Sequence, residues 1–161
     1  MKNTEAAFHW IVDILESRGI KYKISGGFAA RVYEVNRELA DIDIEVADAD
    51  ILKIVDDVKP FIIFGPNRYQ DDNWGLELMT LKYEDQEIDI AGAEAKIFNQ
   101  EAKQWEPCSG NMQSIEMKEV FGKKVPIESK ESLIAYKSKL AREVDLEDVR
   151  QLQGLTSQSS S

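Results

Sequence analysis

The sequence of 161 residues contains one cysteine and one histidine, and both shortages exclude kinds of chemistry. Cys108 alone can form neither an intrachain disulfide nor a cysteine-based zinc site. A single histidine excludes histidine-rich zinc sites, and it excludes a Ser-His-Asp triad unless His9 is itself the base. Because His9 falls in a predicted amphipathic helix, we expect it to be structural or solvated. Catalysis by histidine is therefore not expected.

Positive charge is also scarce, since 20 Lys and Arg stand against 30 Asp and Glu and the formal net charge is −10. Nucleic acids and anionic membrane surfaces are bound mainly by basic side chains, so neither a polynucleotide nor a membrane is expected as a partner. No segment approaches the ~20 apolar residues of a membrane span, and the N-terminus lacks a signal-peptide core. We therefore expect a cytoplasmic protein.

The length and the 43% hydrophobic content predict one domain over residues 1–154, followed by a disordered polar tail over 155–161. A helix over 4–18, with Thr4 as its N-cap and Gly19 at its end, has apolar residues at helical spacing. Further helices are predicted over 28–35, over 51–58 and after Ser129. Strands are predicted over 20–24, 41–46, 61–64, 74–83, 87–91, 115–121 and 125–127. This order predicts a mixed α/β (α+β) fold in which helices flank a mixed sheet.

Two of these strands carry finer expectations. The alternation over 20–24 predicts a half-buried strand with Lys21 and Lys23 on its polar side. The apolar run 61–64 predicts a buried strand, and Gly65-Pro66-Asn67 a turn after it.

Acidic and aliphatic residues alternate in Asp41-Ile42-Asp43-Ile44. Residues two apart on a strand share a face, so both carboxylates point one way while the isoleucines point to the core. Neighbouring carboxylates raise each other's pKa unless a cation lies between them, and Mg²⁺ prefers such oxygen ligands. The alternative is the exposed polar face of an edge strand. Glu45 continues the same face and is expected to meet solvent or a cation.

Three further features favour a phosphate and metal site. Gly26-Gly27 follows a strand and precedes a predicted helix, a junction at which backbone N–H groups can approach a phosphate. Arg37 comes four residues before Asp41, within reach of phosphate oxygens. Ile88-Asp89-Ile90 repeats the aliphatic–acid–aliphatic pattern, and Asp89 joins the acid pair if the two strands lie side by side.

The ordered set of motifs resembles the nucleotidyltransferase superfamily with the DNA polymerase β-like catalytic fold. Its signature is similar to Ile24-Ser25-Gly26-Gly27, a spacer of 13 residues, and Asp41-Ile42-Asp43-Ile44. The later strand of that family is matched by Ile88-Asp89-Ile90, and its arginine before the acid pair by Arg37. Its small members often end in a helix like the one containing Lys137, followed by an arginine and aspartates, here Arg142, Asp145 and Asp148. The small lincosamide and aminoglycoside adenylyltransferases are the most similar in style.

The resemblance implies an Mg²⁺-dependent transfer of a nucleoside monophosphate, expected to be AMP from ATP, to a hydroxyl group. Asp41, Asp43 and Asp89 would bind Mg²⁺, and Asp89 would also act as the base. Ser25, Gly26 and Gly27 would seat the triphosphate, while Arg37 and Lys137 would neutralise its charge. The acceptor would be a small molecule or a protein. Its pocket would form either in a homodimer or in an open groove beside residues 65–75 and 92–113.

Two other functions stay open at this point. One is a catalytically silent protein of the same fold that binds nucleotides or an antitoxin-like partner. The other is an acidic α/β interaction protein whose Asp-rich strand is only surface. The position of Asp89 relative to Asp41 and Asp43 distinguishes the acidic interaction protein from the active and the silent protein of the nucleotidyltransferase fold.

Overall fold

A computed structural model describes residues 2–36, 38–108 and 114–159, the last five of these without their side chains. The helices are α1 Thr4–Ser17, α2 Gly26–Val32, α3 Asp48–Ile51, α4 Val55–Val58, α5 Lys130–Leu140 and α6 Glu143–Ser159, with short 3₁₀ turns at Leu52–Ile54 and Lys59–Phe61. The strands are β1 Tyr22–Ile24, β2 Asp41–Val46, β3 Ile62–Gln70, β4 Trp74–Tyr83, β5 Gln86–Gly92, β6 Lys96–Asn99, β7 Gln104–Pro107, β8 Ile115–Val120 and β9 Lys123–Glu128. The predicted mixed fold is confirmed.

One mixed sheet contains all of these strands, and eight of them follow the order β7-β6-β4-β5-β2-β1-β9-β8. The strand β3 pairs with β4 at the edge opposite to β5. The pairs β2/β5 and β1/β9 are parallel, while the other neighbours are antiparallel. The aliphatic residues of β2 and β5 are fully buried: Ile42, Ile44, Ile88 and Ile90. Alternation therefore places the acidic residues of both strands on the opposite face, as the sequence predicts.

The N-cap of the first helix lies one residue before the predicted one. The side chain of Asn3 accepts the N–H of Ala6 at 3.0 Å, and Asn3 is the N-cap. The hydroxyl of Thr4 donates instead to Gln86 at 2.6 Å and ties α1 to the start of β5. Gly19 follows the helix with φ +67°, which is the left-handed conformation expected there.

The prediction of a half-buried β1 is wrong, because all three of its residues are buried. Because β1 lies between β2 and β9, both of its edges are paired, and the burial of Tyr22, Lys23 and Ile24 shows that both of its faces are covered as well. The side chain of Lys23 is 0% exposed, and two carboxylates compensate its charge, as described below. Alternation alone could not distinguish a solvated lysine from one that is paired in the interior.

A strand includes most of the segment 61–64, but the predictions that it is buried and that a turn follows it at 65–67 are wrong. The strand β3 runs through Gly65-Pro66-Asn67 with shifts of register between Phe64 and Asn67 instead of turning there. Ile63 and Phe64 are 55% and 39% exposed, since β3 pairs only with β4. Gly65 has φ +72°, and a Cβ there would lie 2.3 Å from the carbonyl oxygen of Leu78, so the irregularity requires glycine.

The remaining differences concern element boundaries. The single helix expected over 51–58 is divided into α3, a 3₁₀ turn and α4, with Ala47 and not an aspartate as the N-cap of α3. The hairpins β4/β5 and β8/β9 and the helix after Ser129 occur where predicted. No helix within the described residues is long and apolar enough to cross a membrane. The single domain over 1–154 and the disordered tail stay predictions.

Candidate active site

Three aspartates converge on the polar face of the sheet. In the parallel pair β2/β5, Asp43 lies directly beside Asp89, and Asp41 precedes Asp43 by two residues on the same face. One carboxylate oxygen from each of the three lies within 4.8 Å of the others. The strand pairing that was a condition of the sequence prediction is therefore present, which removes the reading of Asp41 and Asp43 as mere surface.

The Gly-Gly segment lies against the second aspartate of this cluster. Gly26 opens α2 with φ +60°, and a Cβ at this position would lie 2.5 Å from Oδ2 of Asp43. The backbone N–H of Phe28 donates to the Asp43 carboxylate, and the N–H of Ser25 donates to its carbonyl oxygen at 2.9 Å. Any larger residue at 26 would displace the carboxylate, so this glycine is required by a close approach and by its conformation.

The third aspartate is oriented by a residue that sequence reasoning did not identify. Thr80 of β4 lies opposite Asp89, and its hydroxyl donates to Oδ1 of Asp89 at 2.7 Å. This bond occupies one oxygen of the carboxylate and leaves Oδ2 for another partner. Pairing of β4 with β5 was predicted, but not its register, and only the register reveals the role of Thr80.

A cleft of about 580 Å³ surrounds the aspartates. Ser25, Gly26 and Gly27 line one side of it, and side chains of β4 line the other. Its wall also includes Tyr69, Asp71, Trp74, Ala95 and Cys108. These residues lie in the ranges 65–75 and 92–113, where the open groove was expected.

Burial and mutual repulsion make the ionised aspartates costly. Burial, followed by the charges of Asp89 and Asp41, raises the pKa of Asp43 to about 7. Burial also raises the pKa of Asp89 to about 6, despite the hydrogen bond from Thr80. The pKa of Asp41 is raised by burial and by Glu87, which lies beside it in the β2/β5 register. Such a group of acids would be stabilised by a cation between its members.

The basic residues proposed from the resemblance have different surroundings. Lys137 of α5 lines the cleft, but it is buried, with Nζ 3.0 Å from Asp148 and 3.8 Å from Asp145. Its charge lowers the pKa of Asp43, so it acts on the cluster from within the fold. Arg142 also lines the cleft, and its guanidinium binds both carboxylate oxygens of Asp145 at 2.6 and 3.0 Å. The prediction for Arg37 lies outside the described residues.

A second acidic group lies next to the cluster on the same strand. Glu45 of β2 and Glu128 of β9 both contact Nζ of Lys23, at 2.9 and 3.0 Å. The hydroxyl of Ser132 donates to Glu128 at 3.1 Å. Glu45 therefore meets a cation, as the sequence allowed, but that cation is an internal lysine.

Comparison with known proteins supports the fold independently. No protein-family model matches the sequence, and no curated protein does. A candidate nucleotidyltransferase from Thermotoga maritima has a similar structure with a TM-score of 0.69 and 18% identity, covering 99% of this chain and 96% of that one.

The antibiotic-resistance factor ANT(2'')-Ia is similar as well. Its solution structure has a TM-score of 0.60 and 18% identity, covering 98% of this chain and 84% of that one. Its crystal structure in complex with adenylyl-2''-tobramycin has a TM-score of 0.57 and 18% identity, covering 95% and 94%. Likeness over nearly the whole length shows that this chain has the nucleotidyltransferase fold that its sequence resembles.

Proposed function

We propose that this protein is an Mg²⁺-dependent nucleotidyltransferase that moves AMP from ATP to a hydroxyl group of a small molecule or a protein. The observation that carries the proposal is the convergence of Asp41, Asp43 and Asp89 in a cleft beside the Gly26-Gly27 segment. The fold supports nucleotidyl transfer in general. The complex of ANT(2'')-Ia with adenylyl-2''-tobramycin supports a hydroxyl compound as the acceptor.

The residues fit a divalent metal. Three carboxylates offer oxygen atoms within 4.8 Å of one another, and oxygen is the ligand that Mg²⁺ prefers. Among the ion pairs of residues 2–36, 38–108 and 114–159, none joins a lysine or arginine to these aspartates. Burial and neighbouring carboxylates raise the pKa values of Asp43 and Asp89, and a bound cation would oppose that rise. When bound, Mg²⁺ would supply positive charge for the carboxylates and for the phosphates of the nucleotide.

The residues of the chain then have separate tasks. Ser25, Gly26 and Gly27 would seat the triphosphate, because the absence of side chains at 26 and 27 lets it approach the backbone. Lys137 and Arg37 would add positive charge on the phosphate side. Asp89 would accept the proton of the acceptor hydroxyl at the oxygen that Thr80 leaves available. The acceptor oxygen bonds to the α-phosphorus, the bond to the β-phosphate breaks, and pyrophosphate leaves.

The experiment is an incubation of the protein with labelled ATP, Mg²⁺ and a panel of hydroxyl compounds, in which labelled product and pyrophosphate are measured. We expect transfer to fall at least 1,000-fold in the double variant Asp41→Asn/Asp43→Asn, because loss of the metal ligands removes most of the electrostatic catalysis. Asp56→Asn, on an exposed part of α4, is the matched control and should retain activity.

Equal turnover in the wild type and the double variant would contradict the proposal. Binding of ATP without transfer to any acceptor would favour the catalytically silent alternative. That alternative is not supported by the site itself, since all three acids are present and lie together.

A further inference from the structure

The side of the cleft away from the Gly-Gly segment has an apolar lining that the proposed function does not explain. Trp74, Leu76, Leu78 and Thr80 alternate along β4, and all four line the cleft. At ~3.4 Å per residue, this row runs about 20 Å from the partner of Asp89 to Trp74. Ala91, paired with Leu78 on β5, widens it with a small side chain.

The sheet order places this row on the acceptor side of the reaction. Across the sheet, the segment 25–27 adjoins β1 and β2, Asp89 lies on β5, and the row lies on β4. In an in-line displacement, the attacking oxygen enters opposite to the leaving pyrophosphate. If the triphosphate lies at 25–27, the acceptor must therefore approach from the side of Asp89 and β4. This step rests on the proposed function.

Two charged side chains that border the row, Asp71 and Arg142, have hydrogen-bond partners within the fold. The carboxylate of Asp71 accepts hydrogen bonds from the hydroxyl of Tyr69 at 2.7 Å and from two backbone N–H groups, of Asn73 and Trp74, at 2.8 Å each. The guanidinium of Arg142 binds Asp145 with two hydrogen bonds. These contacts fix the positions of both side chains at the border of the row.

The far end of the row is closed by aromatic side chains. The rings of Trp74 and Tyr136 meet edge to face with centroids 5.9 Å apart. Leu76 is buried beside them, while Leu78 is only partly buried and faces the cleft. This end offers apolar contact area from Trp74, Leu76 and Tyr136.

We infer that the acceptor is a hydroxyl compound with an extended apolar part, which lies along Leu78, Leu76 and Trp74 while its hydroxyl reaches Asp89. The inference concerns the substrate class and not the transfer chemistry, so it can be tested by binding alone.

The test is calorimetric titration of the full chain with methyl, phenyl and octyl β-D-glucopyranosides and with tobramycin, in Mg²⁺ with and without α,β-methylene-ATP. Burial of an aryl or alkyl group should make phenyl and octyl glucosides bind at least about tenfold more tightly than the methyl compound. The variant Leu78→Asn should reduce this preference to about twofold or less. Leu52→Asn, 69% exposed and far from the cleft, is the matched control and should keep it.

Equal affinity along the glucoside series, no binding of the phenyl and octyl compounds, or tighter binding of tobramycin would overturn the inference. These outcomes are measured on the wild type and do not depend on folding of the variant. Absence of transfer together with an intact apolar preference would count against the proposed function only. Transfer with a flat affinity series would count against this inference only.

Discussion

Two groups of carboxylates, each with members on β2 and on another strand, differ in whether a basic side chain of the protein pairs with them. Glu45 and Glu128 enclose the buried ammonium group of Lys23 at 2.9 and 3.0 Å. One carboxylate oxygen from each of Asp41, Asp43 and Asp89 lies within 4.8 Å of the others, and within the described residues none of the three forms an ion pair with a basic side chain. The charge of one acidic group is compensated by an internal lysine, whereas the other, on the proposed function, would bind a cation from outside.

The difference shows how burial alone fails to identify a functional acid. Glu45 and Glu128 are buried and the three aspartates are half-buried, yet burial raises the pKa of Glu45 and of Asp43 alike to about 7. In the first group, Lys23 opposes that rise. For Asp43 in the second group, the largest effects on the pKa after burial are the charges of Asp89 and Asp41, which raise it further. The useful criterion is therefore the presence of an internal counter-charge, and each prediction below tests it.

The largest effect is expected from removal of the internal cation. Lys23→Met leaves Glu45 and Glu128 buried without compensation, and breaking a buried ion pair costs about 3–5 kcal/mol in the free energy of unfolding. Urea unfolding measures this loss. Lys21→Met, at an exposed position two residues away, is the control and should change stability by less than about 0.5 kcal/mol. A loss for Lys23→Met no larger than that of the control would show that the ion pair is not what stabilises this group.

In the second group, replacing a charged side chain should stabilise the folded chain, which is the opposite of the effect expected for Lys23→Met. The pKa of Asp43 is about 7 in the folded chain but near 3.8 when exposed, so between these values the folded state keeps a proton that the unfolded state has lost. Stability in the presence of a chelator should therefore fall as pH rises from 5 to 8. Asp43→Asn should flatten this slope and stabilise the protein by about 1–3 kcal/mol at pH 8.

Urea unfolding at pH 5 and pH 8 in the presence of EDTA tests that prediction. A parallel series contains Mg²⁺ in place of EDTA. Asp56→Asn serves again as the exposed control and should leave the slope unchanged. Stability that rises with pH in the wild type, or an Asn variant that is weaker than the wild type at pH 8, would contradict it.

The smallest effect concerns the orientation of the third acid. The hydroxyl of Thr80 lowers the pKa of Asp89 by donating to its ionised form. Thr80→Val should raise that pKa by about one unit, because a hydrogen bond to a charged group contributes roughly 1.5 kcal/mol. The acid limb of the pH–rate profile for transfer should therefore move to higher pH by about one unit. Thr80→Ser should return the limb to the position that it has in the wild type. A rate reduced equally at all pH values would mean that Thr80 only supports packing.

Much of the fold could be predicted because local signals agreed with tertiary packing. The hairpins β4/β5 and β8/β9 follow short turn segments, and β2 follows strict alternation. The predictions for β1 and β3 failed because the position of a strand in the sheet decides its burial. Lys23 lies in the middle of the sheet and Ile63 at an edge, and neither position is encoded in the local pattern.

Candidate site residues could be predicted where a residue type in a local sequence pattern indicates the chemistry. Asp41, Asp43 and Asp89 were identified by their pattern, and Gly26 by its junction, where a close approach to Asp43 now gives the physical reason. Thr80 and Glu87 could not be identified, because their roles depend on the register of β4 and β2 against β5. The surroundings of Lys137 were also hidden, since its partners Asp145 and Asp148 lie on the next helix.

The most direct measurement is a titration with Mn²⁺, followed by electron paramagnetic resonance, on the wild type, Asp43→Asn and Glu45→Gln. The two substitutions remove one charge each, two residues apart on the same face of the same strand. We expect Mn²⁺ to bind the wild type and to be displaced by Mg²⁺. Asp43→Asn should weaken binding at least about tenfold, whereas Glu45→Gln should change it by about twofold or less. Equal binding by the wild type and Asp43→Asn would contradict the assignment of the uncompensated aspartates as the metal site.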